Sequence, residues 1–115
     1  MDLGLQGKVA LVTGASRGIG AAIADSLAAQ GAIVIGTATS EAQAAKINER
    51  LSAHGGAGRV LNVGEVESIE NLIADITKEF GTIEILVNNA GVTRDNLLMR
   101  MKDEEWDDIM HINLK

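Results

Sequence analysis

A short segment with three glycines, at positions 14, 18 and 20, constrains the fold of this chain more than any other feature. The apolar, β-branched run 8–13 precedes it and predicts a strand buried on both faces. Residues 19–30 follow it, with apolar residues at helical spacing among alanines. A strand, a glycine turn and a helix in this order predict a crossover unit of a parallel sheet.

The same alternation of strand and helix continues along the chain. The further predicted strands cover residues 32–36, 59–63 and 83–88, and the further predicted helices cover residues 40–53, 66–80 and 103–115. Right-handed crossovers give the strand order 3-2-1-4, with a ligand at the carboxyl ends of strands 1 and 4. We therefore predict an α/β fold, a Rossmann-type doubly wound parallel sheet in one partial domain over residues 1–115, truncated before the fifth strand.

The composition excludes several classes of function. The 115 residues include no Cys and two His, so a disulfide framework and the usual metal-ligand sets are missing, and no metal site is predicted. The net charge of −6 arises within residues 59–115, which argues against a basic nucleic-acid surface. No apolar run has membrane-spanning length, and no basic segment followed by an apolar one starts the chain. We expect a cytoplasmic protein with no nucleic-acid or membrane partner.

The glycine segment is suited to binding a pyrophosphate. Its spacing is G-x-x-x-G-x-G, which differs from the general G-x-G-x-x-G fingerprint, and no Gly-Lys-Ser/Thr follows as in a Walker loop. Glycines at these positions let the turn close, let the backbone approach a phosphate and let the helix pack near the strand. The first turn of the helix offers unpaired N–H groups to an anion. The alternative is a tight turn with a purely structural role.

The end of the second predicted strand bears on the choice of nicotinamide cofactor. An NAD site usually places Asp or Glu there to bind the ribose 2′-hydroxyl. Residues 36–40 carry hydroxyl groups, and no carboxylate occurs before Glu41. A 2′-phosphate would therefore meet hydroxyl donors and the guanidinium of Arg17. We predict NADP(H); in the alternative, Arg17 merely faces solvent.

Asparagines follow the third and fourth predicted strands. Asn62 and Val63 close the third strand where an adenine ring would lie, although a carboxylate is as common a choice there. Asn88 and Asn89 close the fourth strand, and amides in an apolar setting need hydrogen-bond partners. We expect Asn88 to brace the first strand and Asn89 to contact a ligand, whose ribose would approach at the turn 90–91.

Together these motifs resemble the short-chain dehydrogenase/reductase family. The segments 13–20 and 88–91 and Asn113 carry the resemblance. The segments 36–41 and 91–106 are similar to the branch of the family that reduces 3-oxoacyl thioesters of acyl carrier protein in bacterial fatty-acid synthesis. The resemblance implies NADPH as the cofactor, an acyl-carrier-protein thioester as the substrate and, for full-length members, a homotetramer.

The resemblance also implies roles for individual residues. Asn113, a poor helix former within the last predicted helix, would be the catalytic Asn that holds a water in a proton relay; an exposed position near the chain end is the alternative. Thr39 would lie by the 2′-phosphate. The cofactor-binding residues that it implies are Gly14, Ala15, Ser16, Arg17, Gly18, Ile19, Gly20, Thr39, Asn62, Val63, Asn89, Ala90 and Gly91.

The chain departs from the family in its length and its catalytic residues. Family members are considerably longer, and their Ser and Tyr-x-x-x-Lys residues follow the Asn, whereas this sequence contains no Tyr. Without that acid, hydride transfer is expected to be negligible. We interpret the chain as the amino-terminal half of such a reductase, inactive by itself. With the fourth strand as an open edge, we expect it to be marginally stable, self-associating or partly disordered after about Gly91.

Two other classes of function are alternatives to this interpretation. A non-catalytic NADP(H)-binding module stays open, because it also predicts cofactor binding without turnover. A phosphoacceptor or flavin domain of similar winding would need an acidic cluster or a hydroxyl-rich loop after the first strand. This chain has its glycine segment at that place, which disfavours both.

Overall fold

The computed structural model describes residues 4–62, 65–89 and 110–113, which form a parallel sheet with helices packed on both faces. The strands are β1 (Val9–Thr13), β2 (Ile33–Ala38), β3 (Ala57–Val60), β4 (Ile83–Asn88) and β5 (Met110–Asn113). The helices are α1 (Gly18–Ala29), α2 (Glu41–Ser52) and α3 (Val66–Glu79). None of the helices in these ranges is both long enough and apolar enough to cross a membrane. The sheet order is β3-β2-β1-β4-β5, which confirms the predicted 3-2-1-4 arrangement and the α/β class.

Strand β1 lies at the centre of the sheet, between β2 and β4. It pairs in parallel with β2 as far as Gly36 and with β4 as far as Asn88. On the far side, β2 pairs with β3 as far as Val60. The crossovers run one way from β1 to β3 and the other way to β4, so a crevice opens beyond the carboxyl ends of β1 and β4.

Two apolar layers, one on each face of the sheet, stabilise the fold. Successive side chains of β1 point to opposite faces, so Ala10 and Val12 join one layer while Val9 and Leu11 join the other. The first layer also contains alanines of α1 and the apolar stripe of α2. The α3 residues that close the second layer are Ile69, Leu72, Ile73 and Ile76. Full burial of each such side chain contributes about 1.5–3 kcal/mol.

The ends of the first two helices follow local signals in the sequence. The hydroxyl of Ser40 accepts a hydrogen bond from the Gln43 N–H at 3.3 Å, which caps α2. Gly31 adopts a φ of 91° after α1, and the Ala32 N–H returns to the Leu27 carbonyl at 3.1 Å. Gly31 thus turns the chain from α1 towards β2, and Ser40 fixes where α2 begins after β2.

Strand β3 begins and ends earlier than the predicted 59–63, because Gly58 belongs to the strand rather than to a loop. A Cβ at Gly58 would lie on the Ala44 carbonyl oxygen and 3.0 Å from the Ile47 Cβ. The glycine therefore allows close packing of α2 on β3.

Residues 110–113 correct the prediction for the end of the chain. We predicted a helix over 103–115 and a sheet that stops before a fifth strand, whereas Met110–Asn113 forms β5 and pairs in parallel with β4. The open edge of β4 presents unpaired N–H and C=O groups, and pairing them outweighs the weak helical preference of this short segment. The edge that we expected to stay uncovered is thus partly covered by β5. The predicted behaviour after Gly91 and the helix start at 103 fall outside the described residues.

Candidate functional site

A cleft of about 510 Å³ lies beyond the carboxyl ends of the strands, where the predicted site residues converge. Its volume is within the range of small-molecule and cofactor sites. The residues that line it come from the glycine loop, from the end of β2 with the first turn of α2, and from the segments that follow β3 and β4. They are Gly14, Ser16, Arg17, Gly18, Thr37, Ala38, Thr39, Gln43, Leu61 and Asn89.

The glycine loop delivers the start of α1 to this cleft. Gly14 and Gly18 have φ values of 65° and 63°, a backbone region that side chains with a Cβ adopt at a cost. Helix α1 begins at Gly18, and within the described chain no side chain caps it, because Arg17 makes no capping hydrogen bond. The N–H groups of the first turn are therefore free to bind an anion, with the positive end of the helix dipole behind them.

The backbone N–H groups of the first two loop residues, Gly14 and Ala15, both donate hydrogen bonds to Thr37. The Gly14 N–H donates to the Thr37 hydroxyl at 3.2 Å, and the Ala15 N–H donates to the Thr37 carbonyl at 2.8 Å. The side chain of Ala15 is fully buried and lies close to Gly36. These two residues shape the loop, and the amides from Ser16 onwards are those available to a phosphate.

Gly20 allows α1 to approach the loop closely. A Cβ at this position would lie on the Gly14 carbonyl oxygen and 2.6 Å from Nδ2 of Asn89. The third glycine of the motif therefore permits close packing of helix on loop, which brings the start of α1 against the cleft.

The two asparagines at the end of β4 have different roles: Asn88 braces β1, and Asn89 lines the cleft. The Thr13 hydroxyl donates to Oδ1 of Asn88 at 3.1 Å and accepts from the Asn89 N–H at 2.9 Å. Asn88 is 1% exposed, so its predicted bracing of the first strand is confirmed. Asn89 lines the cleft, and its side-chain amide donates to the Gly14 carbonyl at 3.0 Å.

The rim of the cleft at the end of β2 carries hydroxyl, amide and guanidinium groups. Thr39 and Arg17 both lie there, as the sequence predicted, and both are exposed. The side chains that line the cleft within the described part of the chain include no carboxylate. The ion pairs found there join other residues, so no acid among the described residues pairs with Arg17. This rim is suited to a phosphate.

Four lining residues were not among the predicted ones: Thr37, Ala38, Gln43 and Leu61. Thr37 and Ala38 follow the predicted end of the second strand at residue 36, in the hydroxyl-bearing segment 36–40, and Leu61 was expected inside the third strand. Gln43 had a usable signal, because it stands three residues after the capping Ser40, in the first turn of α2.

Ile19 and Asn62 were predicted to bind the cofactor but are not part of the cleft lining. Ile19 is 62% exposed and is not part of the lining. Asn62 lies in the loop after β3, where its N–H donates to the Ser68 hydroxyl at 3.1 Å and its side chain is outside the lining. Asn113 is in a strand rather than in a helix, in register with Asn88 of β4. Its placement corrects the expected mid-helix position.

The remaining predicted positions, Val63, Ala90 and Gly91, lie outside the described residues.

Comparison with known proteins relates this geometry to a family. The sequence pattern of the short chain dehydrogenases matches residues 8–115. The chain is 62% identical over 112 residues to the 3-oxoacyl-[acyl-carrier-protein] reductase FabG of Escherichia coli (strain K12), and 64% identical over 112 residues to the enzyme of that name from Vibrio cholerae. Each comparison covers 97% of this chain and 46% of the relative, so the chain spans about half the length of the curated relatives it matches. With a family pattern that covers nearly the whole sequence and a cleft at the expected switch point of the sheet, this chain belongs to the short-chain dehydrogenase family.

Proposed function

We propose that this chain is the dinucleotide-binding half of an NADPH-dependent reductase that converts 3-oxoacyl-[acyl-carrier-protein] to 3-hydroxyacyl-[acyl-carrier-protein]. The observation that carries the proposal is the cleft beyond β1 and β4, where the uncapped start of α1 meets a rim bearing Arg17 and Thr39. The names of the relatives support this choice of substrate. Bound NADPH would supply the hydride for the substrate carbonyl carbon.

The residues of the cleft fit the parts of such a cofactor in turn. The free N–H groups from Ser16 to Gly20 would bind the pyrophosphate. Arg17 and Thr39 would bind the adenosine 2′-phosphate, through a charge-assisted hydrogen bond and a hydroxyl group. Asn89, in the lining at the end of β4, would contact the ribose on the nicotinamide side, with Ala90 and Gly91.

Protonation of the substrate oxygen needs a group that these 115 residues do not provide. The sequence has no Tyr, the residue that supplies this proton in the family. We assign Asn113 the family's proton-relay role and expect no turnover from the 115-residue chain alone. Catalysis would need a carboxyl-terminal half like that of the relatives.

Two measurements test the proposal. The first is titration of the 115-residue chain with NADPH and with NADH, followed by nicotinamide fluorescence, in which we expect NADPH to bind more tightly. The second is a chimera in which the 112 matched residues of this chain replace their counterparts in the Escherichia coli reductase. We expect this chimera to reduce an acetoacetyl thioester with NADPH.

The outcomes separate the candidate functions. NADPH binding together with an active chimera supports the reductase. NADPH binding with a folded but inactive chimera favours a non-catalytic NADP(H)-binding module, which the lack of Tyr also suits. A folded chain that binds neither dinucleotide contradicts both.

A further inference from the structure

Thr37 contacts two consecutive residues of the glycine loop from the strand beside it. Its carbonyl oxygen accepts the Ala15 N–H at 2.8 Å, and its hydroxyl accepts the Gly14 N–H at 3.2 Å. Thr37 is 1% exposed and Gly14 is half-buried, so the bond between them is partly shielded from water. Hydrogen bonds in such a setting leave a costly unsatisfied donor when one partner is removed.

The register of the sheet explains why this position has that role. Strand β2 pairs with β1 only as far as Gly36, which stands opposite Val12. Thr37 is the next residue of β2, and it faces the loop where β1 has ended. On its other side it still pairs with Arg59 of β3. Thr37 therefore extends the pairing of β2 beyond the sheet and into the glycine loop.

Gly14 is consequently held from both sides of β1. Its N–H binds the hydroxyl of Thr37 on β2, and its carbonyl binds the side-chain amide of Asn89 after β4. With its φ at 65°, Gly14 turns the chain towards the start of α1. The orientation of this one residue therefore sets the direction of the amides from Ser16 to Gly20.

We infer that Thr37 is a positioning residue for dinucleotide binding, because its hydroxyl fixes Gly14 and thereby aligns the loop amides with the pyrophosphate. This inference rests on the proposed function. It predicts that NADPH and NADH depend on Thr37 equally, since both carry the pyrophosphate. A residue that bound the 2′-phosphate would instead affect NADPH alone.

The test compares Thr37→Val with Thr37→Ser in the 115-residue chain. Valine keeps the branched shape and the carbonyl bond and lacks the hydroxyl, whereas serine retains the hydroxyl. The matched control is Thr77→Val. This change removes a partly buried hydrogen bond of 2.8 Å from the Thr77 hydroxyl to the Ile73 carbonyl within α3, away from the cleft. Two readouts are taken: hydrogen exchange of the Gly14 amide without ligand, and the Kd values of NADPH and NADH.

We expect Thr37→Val to speed exchange of the Gly14 amide and to weaken both dinucleotides by about the same factor, on the order of tenfold. Thr37→Ser and Thr77→Val should leave both Kd values near those of the parent chain. Loss of NADPH affinity alone, or unchanged exchange and affinity in Thr37→Val, would overturn the inference. If the parent chain binds neither dinucleotide, the proposed function fails, and the exchange of Gly14 still decides whether Thr37 holds the loop.

Discussion

The side-chain amide of Asn89 donates a hydrogen bond to the carbonyl oxygen of Gly14 at 3.0 Å, and so links the end of β4 to the start of the glycine loop. Asn89 also donates its backbone N–H to the Thr13 hydroxyl at 2.9 Å. The two bonds place Asn89 across the carboxyl end of β1. Because the cleft opens at this point, the geometry of the loop depends on a residue 75 positions away in the sequence.

Asn89→Asp should weaken NADPH binding by about tenfold or more, because a carboxylate facing the Gly14 carbonyl repels it where the amide donated. Asn48→Asp is the matched control. The Asn48 side-chain oxygen accepts the Gly58 N–H at 3.0 Å, and aspartate retains that acceptor. Fluorescence titration of both variants measures the difference. Equal affinities in the two variants would show that the Asn89 bond is not needed for binding.

Gly20→Ala should both destabilise the fold and weaken dinucleotide binding. The added methyl group would meet the Gly14 carbonyl and the Asn89 amide, so α1 must move away from the loop. We expect a loss of about 1–3 kcal/mol in the free energy of unfolding.

Gly81→Ala serves as its control, because Gly81 has a φ of 116° and a new Cβ would lie 3.8 Å from Val9, remote from the cleft. It should lower stability while leaving the Kd of NADPH unchanged. Urea unfolding and NADPH titration, done in parallel, separate the two effects. Normal NADPH affinity in folded Gly20→Ala would contradict the role given to the third glycine.

Thr39→Asp should shift the cofactor preference towards NADH. A carboxylate at this exposed rim position would repel the 2′-phosphate and could bind a 2′-hydroxyl, so the ratio of the two Kd values should change by about tenfold or more. Arg17→Ala should shift the ratio in the same direction by weakening NADPH alone. Thr82→Asp, an exposed change just before β4 at the opposite edge of the sheet, is the matched control. An unchanged ratio in Thr39→Asp would place the 2′-phosphate elsewhere.

Arg59 should stabilise the contact between β3 and α3 through more than its ion pair. Its guanidinium binds the Glu79 carboxylate at 3.0 Å and the Gly58 carbonyl at 2.9 Å, and lies 5.9 Å from the centre of the Phe80 ring. The Glu79 side chain is 54% exposed, so Glu79→Gln should cost less than about 1 kcal/mol.

Arg59→Ala should cost more than Glu79→Gln, about 1–2 kcal/mol, since it also removes the ring contact and the packing of the side-chain stem. Urea unfolding at low and high salt measures both variants. Added salt should abolish the Glu79→Gln effect and leave most of the Arg59→Ala effect. Equal costs for the two variants would mean that the ion pair alone matters.

Local patterns in the sequence were enough for most of the sheet. The bounds of β4 were predicted as the structure has them, and local signals at Gly31 and Ser40 mark the end of α1 and the start of α2. Each of these features depends on residues close together in the chain. The predictions failed where a distant element decided, as at Gly58, which packs under α2, and at Met110–Asn113, which pairs with β4.

The candidate site also combines residues marked by local sequence with residues that only distant contacts bring into place. Spacing and residue type marked the glycine loop, Arg17 and Asn89, and the family resemblance marked Thr39; the structure places these residues in the cleft lining. The contact of Thr37 with the loop could not be predicted, because its hydroxyl accepts a hydrogen bond from a residue 23 positions earlier, which only the pairing of the strands brings near. Asn62 was assigned to the adenine on the assumption that β3 extends to residue 63, and the earlier strand end leaves it outside the lining.

The amino-acid sequence by itself determined which segments become β1 to β4 and α1 to α3 and where the backbone must turn between them, since apolar spacing and glycine act within a few residues of the chain. Only the tertiary structure decided that Gly14 is bound by Thr37 on one side and by Asn89 on the other. Contacts of that kind depend on the register of neighbouring strands, and register is set by the packing of the whole sheet.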